Sequence, residues 1–133
     1  MKFKSKASCV LDASALMSLV NDEPGSLVVQ QHLRKASISS VNFAEVLSKM
    51  VEFGVPAIEA KSVLDYFNLE VIPFTEAQVL GVSLLRLSTK PQGLSLADRV
   101  CLNLGKTLKV PVLTGDKIWK EVQDPELDIL LIR

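Results

Sequence analysis

The sequence predicts an α/β fold in three layers, a mostly parallel central sheet of short strands flanked by helices. Three observations carry that expectation. Short apolar runs alternate with stretches of helical periodicity along the chain. The runs are continuously apolar and do not alternate with polar residues, as expected of strands buried on both faces. The composition is 48% hydrophobic but only 5% aromatic, which gives an aliphatic core in a chain of 133 residues. That length predicts a single domain spanning residues 1–133 and is enough to bury a sizeable core.

The elements follow in order. "ASCVLDAS" (7–14) is an apolar run ending in Asp-Ala-Ser, a buried strand followed by a helix start. "ALMSLV" continues as a short helix, "NDEPG" breaks it, and "SLVVQQHLRK" (26–35) forms the next. "ASISS" (36–40) is a short strand. "VNFAEVLSKMVEF" (41–53) is helical, with Phe43, Leu47, Met50 and Phe53 along one face. Gly54 ends that helix, and Pro56 begins "AIEAKSVLDYF". "LEVIPF" (69–74) is a strand. Thr75 with Gln78 resembles a capping box opening a helix to about Leu87, and "STKPQG" is a loop. Ser95 opens a helix to about Leu108, "VPVLT" (110–114) is a strand, "DKIWKEV" a helix and "LDILLI" a final strand.

The 15 basic and 15 acidic residues cancel, so net charge supplies no pull toward nucleic acid or membrane. No run approaches the ~20 apolar residues of a membrane helix, and the basic start "KFKSK" lacks the long apolar stretch of a signal peptide. A soluble, cytoplasmic protein is expected. Cys9 and Cys101 are too few and too far apart for a disulfide scaffold or zinc cluster, and read as buried free thiols.

Four acids stand out, each with an ordinary explanation beside it. Asp98 follows Ser95 by three residues, a reciprocal capping pattern. Asp12 and Asp116 directly follow strand runs and would cap the next helix. Glu45 sits in a helix near Ser48, Lys49 and Glu52, where periodicity alone makes it a solvated side chain. In open parallel sheets, however, sites form beyond the carboxyl ends of the strands, and Asp12 and Asp116 belong there. Clustered carboxylates repel one another unless a cation neutralises them, and hard oxygen ligands suit Mg²⁺ or Mn²⁺.

"VLDASAL", "NFAEVL" and "GLSLADRVCLNLGKTLKVPVLTGDKIW", in that order, make the chain resemble the PIN-domain nucleases, most closely the VapC-type toxins of toxin–antitoxin pairs. The resemblance runs from the first strand to the last. It implies a PIN-like fold with Asp12, Glu45, Asp98 and Asp116 as an acidic quartet. Asp12, Asp98 and Asp116 would be metal ligands, with Ser14 and Thr114 as hydroxyl neighbours orienting acids or metal-bound water. The implied activity is metal-dependent hydrolysis of RNA phosphodiesters. The implied partners are an RNA substrate, a cognate antitoxin protein and a second copy in a homodimer, with no membrane. The helical surfaces of residues 16–33 and 43–67 are candidate docking faces.

Without the four acids, 15 basic residues face 11 remaining acids. Lys49, Arg99 and Lys117, and with them Arg86, Lys90 and Lys120, are candidate contacts to the RNA backbone, though each is equally read as a solvated charge. Trp119 reads as a core residue or a base-stacking one. Rival chemistries lack their parts. "GKT" (105–107) has Val100 where a phosphate-binding loop needs Gly, and it falls late in a helix. No G-x-G-x-x-G occurs. His32, the only histidine, has no G-x-S-x-G partner motif. A phosphoaspartate enzyme would need a second acid where Ser14 stands. The surviving alternative is a catalytically silent PIN-like module that binds a protein.

Overall fold

The computed structural model describes residues 6–133. The basic stretch "KFKSK" therefore lies, apart from Lys6, outside the described residues. Five strands form one sheet in which every pairing is parallel: β1 (Cys9–Leu11), β2 (Ala36–Ser39), β3 (Glu70–Ile72), β4 (Val112–Thr114) and β5 (Ile129–Leu131). Their order is β3-β2-β1-β4-β5. Six α-helices connect and cover them: α1 (Ala13–Val20), α2 (Ser26–His32), α3 (Ser40–Glu52), α4 (Ala57–Tyr66), α5 (Val79–Thr89) and α6 (Leu96–Leu108).

The period-2 side-chain alternation of a strand divides the core in two. Cys9, Leu11, Ile38 and Leu113 face the layer of α1 to α4, where they meet Leu16, Val29, Val46, Met50 and Leu64. Val10, Val112, Ile72 and Ile129 face the other layer and pack with Leu85, Cys101, Leu102, Leu104 and Trp119. Burial on both faces accounts for the continuous apolar residues of β1; β2, Ala-Ser-Ile-Ser, is buried throughout although it alternates in polarity, and the edge strand β3 leaves Glu70 and Val71 exposed. The three-layer α/β arrangement is the one expected.

Some local details differ. Phe53 caps the end of α3 and is 77% exposed, so the inward face of α3 is Asn42, Phe43, Val46 and Met50. Thr75 and Gln78 form no capping box: the Gln78 amide donates to Pro73 O at 2.9 Å, and a 3-10 turn, Glu76–Gln78, precedes α5. That helix runs on to Thr89, whose buried hydroxyl donates to Leu85 O. "DKIWKEV" forms a 3-10 helix, Lys117–Glu121, and not an α-helix.

Gly105 shows how closely α6 sits on the sheet. A Cβ there would collide with Cγ2 of Val112, a buried β4 residue. Helix propensity alone makes Gly→Ala favourable by about 1 kcal/mol. Close packing reverses the sign, so Gly105→Ala is expected to destabilise the protein by roughly 1–3 kcal/mol in a urea melt. A more stable variant would show that α6 has room to lift.

Candidate active site

The order β3-β2-β1-β4-β5 changes direction between β1 and β4, the switch point beyond whose carboxyl ends open parallel sheets form a crevice. Asp12 stands there. It follows β1, its backbone N–H donates to Leu113 O at 3.1 Å, and only 5% of the residue is exposed. It is also the N-cap of α1, since Oδ1 accepts from Ala15 N at 2.7 Å. Ser14 Oγ donates to the same carboxylate, 2.7 Å from Oδ1 and 2.9 Å from Oδ2. Thr114 Oγ1, at the end of β4, donates to Oδ2.

Both hydroxyls continue into the loop after β4. Ser14 Oγ accepts from Gly115 N at 2.8 Å, and Thr114 Oγ1 accepts from Asp116 N at 3.0 Å. Asp12 is thereby linked to Gly115 through Ser14 and to Asp116 through Thr114. The Asp116 side chain caps the following 3-10 helix, with Oδ1 accepting from Ile118 N at 3.2 Å, and the residue is exposed.

Asp98 occupies the first turn of α6 in a complete capping box. Its Oδ2 accepts from Ser95 N at 3.0 Å, and its own N–H donates to Ser95 Oγ at 3.1 Å. The capping reading is therefore correct for Asp12, Asp98 and Asp116 alike, but a cap occupies only part of a carboxylate. Asp98 Oδ1 and Asp116 Oδ2 take no hydrogen bond from the described residues.

Glu45 projects from α3 and is half-buried. Its Oε1 accepts from Asn42 Nδ2 at 2.9 Å. Asn42 is absent from the residues singled out in the sequence. It is 1% exposed, and the same nitrogen also donates at 3.1 Å to Ala97 O, the residue before Asp98. One amide thus ties the helix of Glu45 to the helix of Asp98. Its own Oδ1 is buried without a partner. A polar residue within an apolar helix face was the one available signal.

Electrostatics show which acids face one another. Burial pushes the Asp12 carboxyl up to about 6 from an ordinary 3.8; hydrogen bonds from Thr114, Ser14 and Ala15 pull against that rise, and the Asp98 charge adds to it. The buried Cys101 thiol on α6 is raised first by burial, then by Asp12, Asp98 and Glu45. These three acids therefore all lie close enough to Cys101 to act on it, while Asp116 is linked to Asp12 only through its backbone N–H and the Thr114 hydroxyl. Among the described residues the ion pairs are Lys61–Asp65, Lys106–Asp124 and Arg133–Glu23, so none of the four acids has a basic partner.

Hard oxygen donors carrying unbalanced negative charge fit a divalent cation. Among the described residues no three His, Cys, Asp or Glu side chains are gathered tightly enough to hold an ion unaided.

The remaining candidates fall out as follows. Lys49 and Lys117 are exposed, as are Arg86, Lys90 and Lys120. The Arg99 guanidinium is turned inward, donating to Val82 O at 3.1 Å and bridging α6 to α5. Trp119 is 1% exposed and belongs to the core. Lys106 of "GKT" pairs with Asp124 at 2.8 Å, far down α6. His32 bonds Val28 O through Nδ1 at 2.9 Å.

The family model described as "PIN domain" matches residues 9–125. Among solved structures, VapBC2 from Rickettsia felis bound to a promoter DNA fragment is similar in fold, with a TM-score of 0.73 at 20% identity over 92% of this chain and 97% of that one. DNA-bound VapBC from Salmonella typhimurium matches with a TM-score of 0.73 at 15% identity, covering 96% and 99%. VapBC-1 from nontypeable Haemophilus influenzae matches with 0.70 at 17%, covering 93% and 97%. No curated protein matches by sequence.

The raised Asp12 carboxyl predicts a pH dependence. Between 3.8 and about 6 the folded chain holds this proton more tightly than the unfolded chain. The Asp12 contribution to stability is therefore complete below the lower value and is lost as pH rises through the higher. A shift of this size corresponds to roughly 3 kcal/mol. Urea melts of metal-free protein should show that decline, and Asp12→Asn should remove it. An unchanged slope in the variant would assign the dependence to other groups.

Proposed function

We propose that this chain, which belongs to the PIN domain family, is a metal-dependent endoribonuclease and the toxin of a toxin–antitoxin pair. The observation that carries the reading is the desolvated Asp12 at the β1/β4 switch point, with the Asp98 charge acting on it and no cation paired to either. A stability-driven fold would not place two like charges together at the end of a buried strand; a site that binds a cation and a phosphate would.

In this reading Asp12 and Asp98 hold Mg²⁺ or Mn²⁺, and Asp116 and Glu45 complete the site directly or through bound water. Such an ion would supply polarisation of a phosphate oxygen and a lowered pKa for a bound water. The chain's own residues prepare that chemistry. Ser14 and Thr114 fix the Asp12 carboxylate by hydroxyl donation, so it need not reorganise when charge arrives. Asn42 holds Glu45 toward α6. Asp12, buried and with a raised pKa, releases its proton readily near neutral pH when a cation is offered.

The neighbours of known structure that are similar in fold include VapBC complexes, which supports an antitoxin partner. Exposed apolar side chains on α4 (Ile58, Val63 and Tyr66) and on α5 (Leu80, Leu84 and Leu87) are surfaces that an antitoxin and a second copy would cover. An antitoxin segment bearing Arg or Lys would pair with the unpartnered carboxylates and exclude RNA. Among the described residues, no helix is long and apolar enough to cross a membrane.

The test combines cleavage with binding. Wild type should degrade mixed cellular RNA with Mn²⁺ or Mg²⁺ and gain thermal stability from the metal. Asp12→Asn and Asp98→Asn should lose both properties. Asp98→Asn should cost about 1 kcal/mol or less of metal-free stability, because the Asn Oδ1 can still accept from Ser95 N in the capping box. Expression of wild type, but not Asp12→Asn, should arrest growth. Intact RNA together with no metal-induced shift would leave the silent binding module as the better reading.

A further inference from the structure

Two residues beyond the last strand close over the loop that follows β4. Ile132 N donates to Thr114 O at 3.0 Å. On the other side, a Cβ at Gly25, in the turn before α2, would lie 2.6 Å from Ile132 O and 2.8 Å from its Cγ1. Arg133 fits the second gap. A Cβ at Gly115 would lie 2.7 Å from its Nη2, 2.8 Å from Cζ and 3.1 Å from Nε, so the guanidinium rests against the bare Gly115 backbone.

One edge of that guanidinium is held elsewhere: Nη1 donates to Pro24 O at 2.9 Å and pairs with Glu23 Oε1 at 3.4 Å. Nη2 takes no acceptor among the described residues, and the side chain is one-third exposed. Gly115 lies between Thr114, which donates to Asp12, and Asp116, and its own N–H donates to Ser14. A cation is thus fixed beside the acid site by contacts that leave one edge of its fork open. A polyanionic strand approaching four carboxylates needs such a cation at the rim, and a guanidinium held by one edge offers the other to a phosphate at little entropic cost. Arg99, the arginine nearest the acids in sequence, is engaged by Val82 O.

We propose that Arg133 binds a backbone phosphate of single-stranded RNA at the rim of the acid site, next to the position cleaved; this rests on the ribonuclease reading. The probe is a short mixed-sequence single-stranded RNA, with affinity followed by fluorescence anisotropy in EDTA at several salt concentrations. Arg133→Gln should weaken binding by about three- to tenfold and reduce the log–log salt slope by about 0.7, as for one lost phosphate on a single strand. Arg133→Lys should recover part of the affinity. Gly115→Ala should act like Arg133→Gln with the charge still present, because the new methyl displaces a flexible side chain and not backbone. Melting curves confirm that each variant is folded at the assay temperature.

If Arg133→Gln and Gly115→Ala keep wild-type affinity and slope, even with lowered melting temperatures, Arg133 is only a strap and the proposal is overturned. Absence of RNA binding by wild type overturns it equally. Cleavage is measured separately with Mn²⁺: an Arg133-dependent affinity for RNA that stays intact overturns the ribonuclease reading and keeps the phosphate contact.

Discussion

The burial of Asp12 at the end of β1 is the constraint around which the neighbouring structure is arranged. An ionised carboxylate removed from water is costly unless donors surround it. Three donors do so: the Ala15 amide and the hydroxyls of Ser14 and Thr114. Because each hydroxyl also accepts from the loop after β4, one carboxylate fixes the start of α1, the end of β4 and the backbone that carries Asp116. The donors do not fully offset desolvation, since the carboxyl remains well above its ordinary value. That residual cost is stored where a cation would relieve it.

Each aspartate of the candidate site already has a structural task, and in the proposed function it takes a second. Asp12 and Asp116 as N-caps, and Asp98 as the third residue of the capping box opened by Ser95, satisfy backbone donors at the starts of three helices. The same geometry fixes their orientation, because a capping carboxylate has little rotational freedom, and it leaves further oxygens to face the crevice. Capping and ligation are therefore not competing explanations. The cap provides the rigidity that a metal site needs from its supporting residues. Asn42 shows the cost of that order: its amide aligns Glu45 and contacts the Asp98 helix while its own oxygen stays buried and unpaired, a deficit of about 1–3 kcal/mol.

The surface has its own division. Apolar side chains remain uncovered on α4 and α5. At the crevice the exposed charges include Lys117 beside Asp116, and Arg133 against Gly115. The neutral total charge says nothing of how these charges are placed.

The sequence by itself determined what depends on near neighbours. Short apolar runs marked β1, β4 and β5, while β2 (Ala-Ser-Ile-Ser) and β3 (Glu-Val-Ile) were placed by their position between helical stretches. The three-residue spacing of Ser95 and Asp98 announced the capping box that forms. Asp12 and Asp116 could be placed at strand ends because each directly follows an apolar run. Tertiary structure decided what depends on residues distant along the chain. The strand order, and so the crevice between β1 and β4, comes from pairing that no local pattern encodes. Thr75 and Gln78 have capping spacing, yet Gln78 bonds to Pro73. Phe53 shares the apolar period of α3 but falls at its exposed end. Thr114 reaches Asp12 across 102 positions, Asn42 reaches Ala97 across 55, and Arg133 meets Glu23 across 110. Local spacing fixes a side chain's direction relative to its own helix or strand. Only the packing of one element on another sets which carboxylate, hydroxyl or guanidinium stands opposite it.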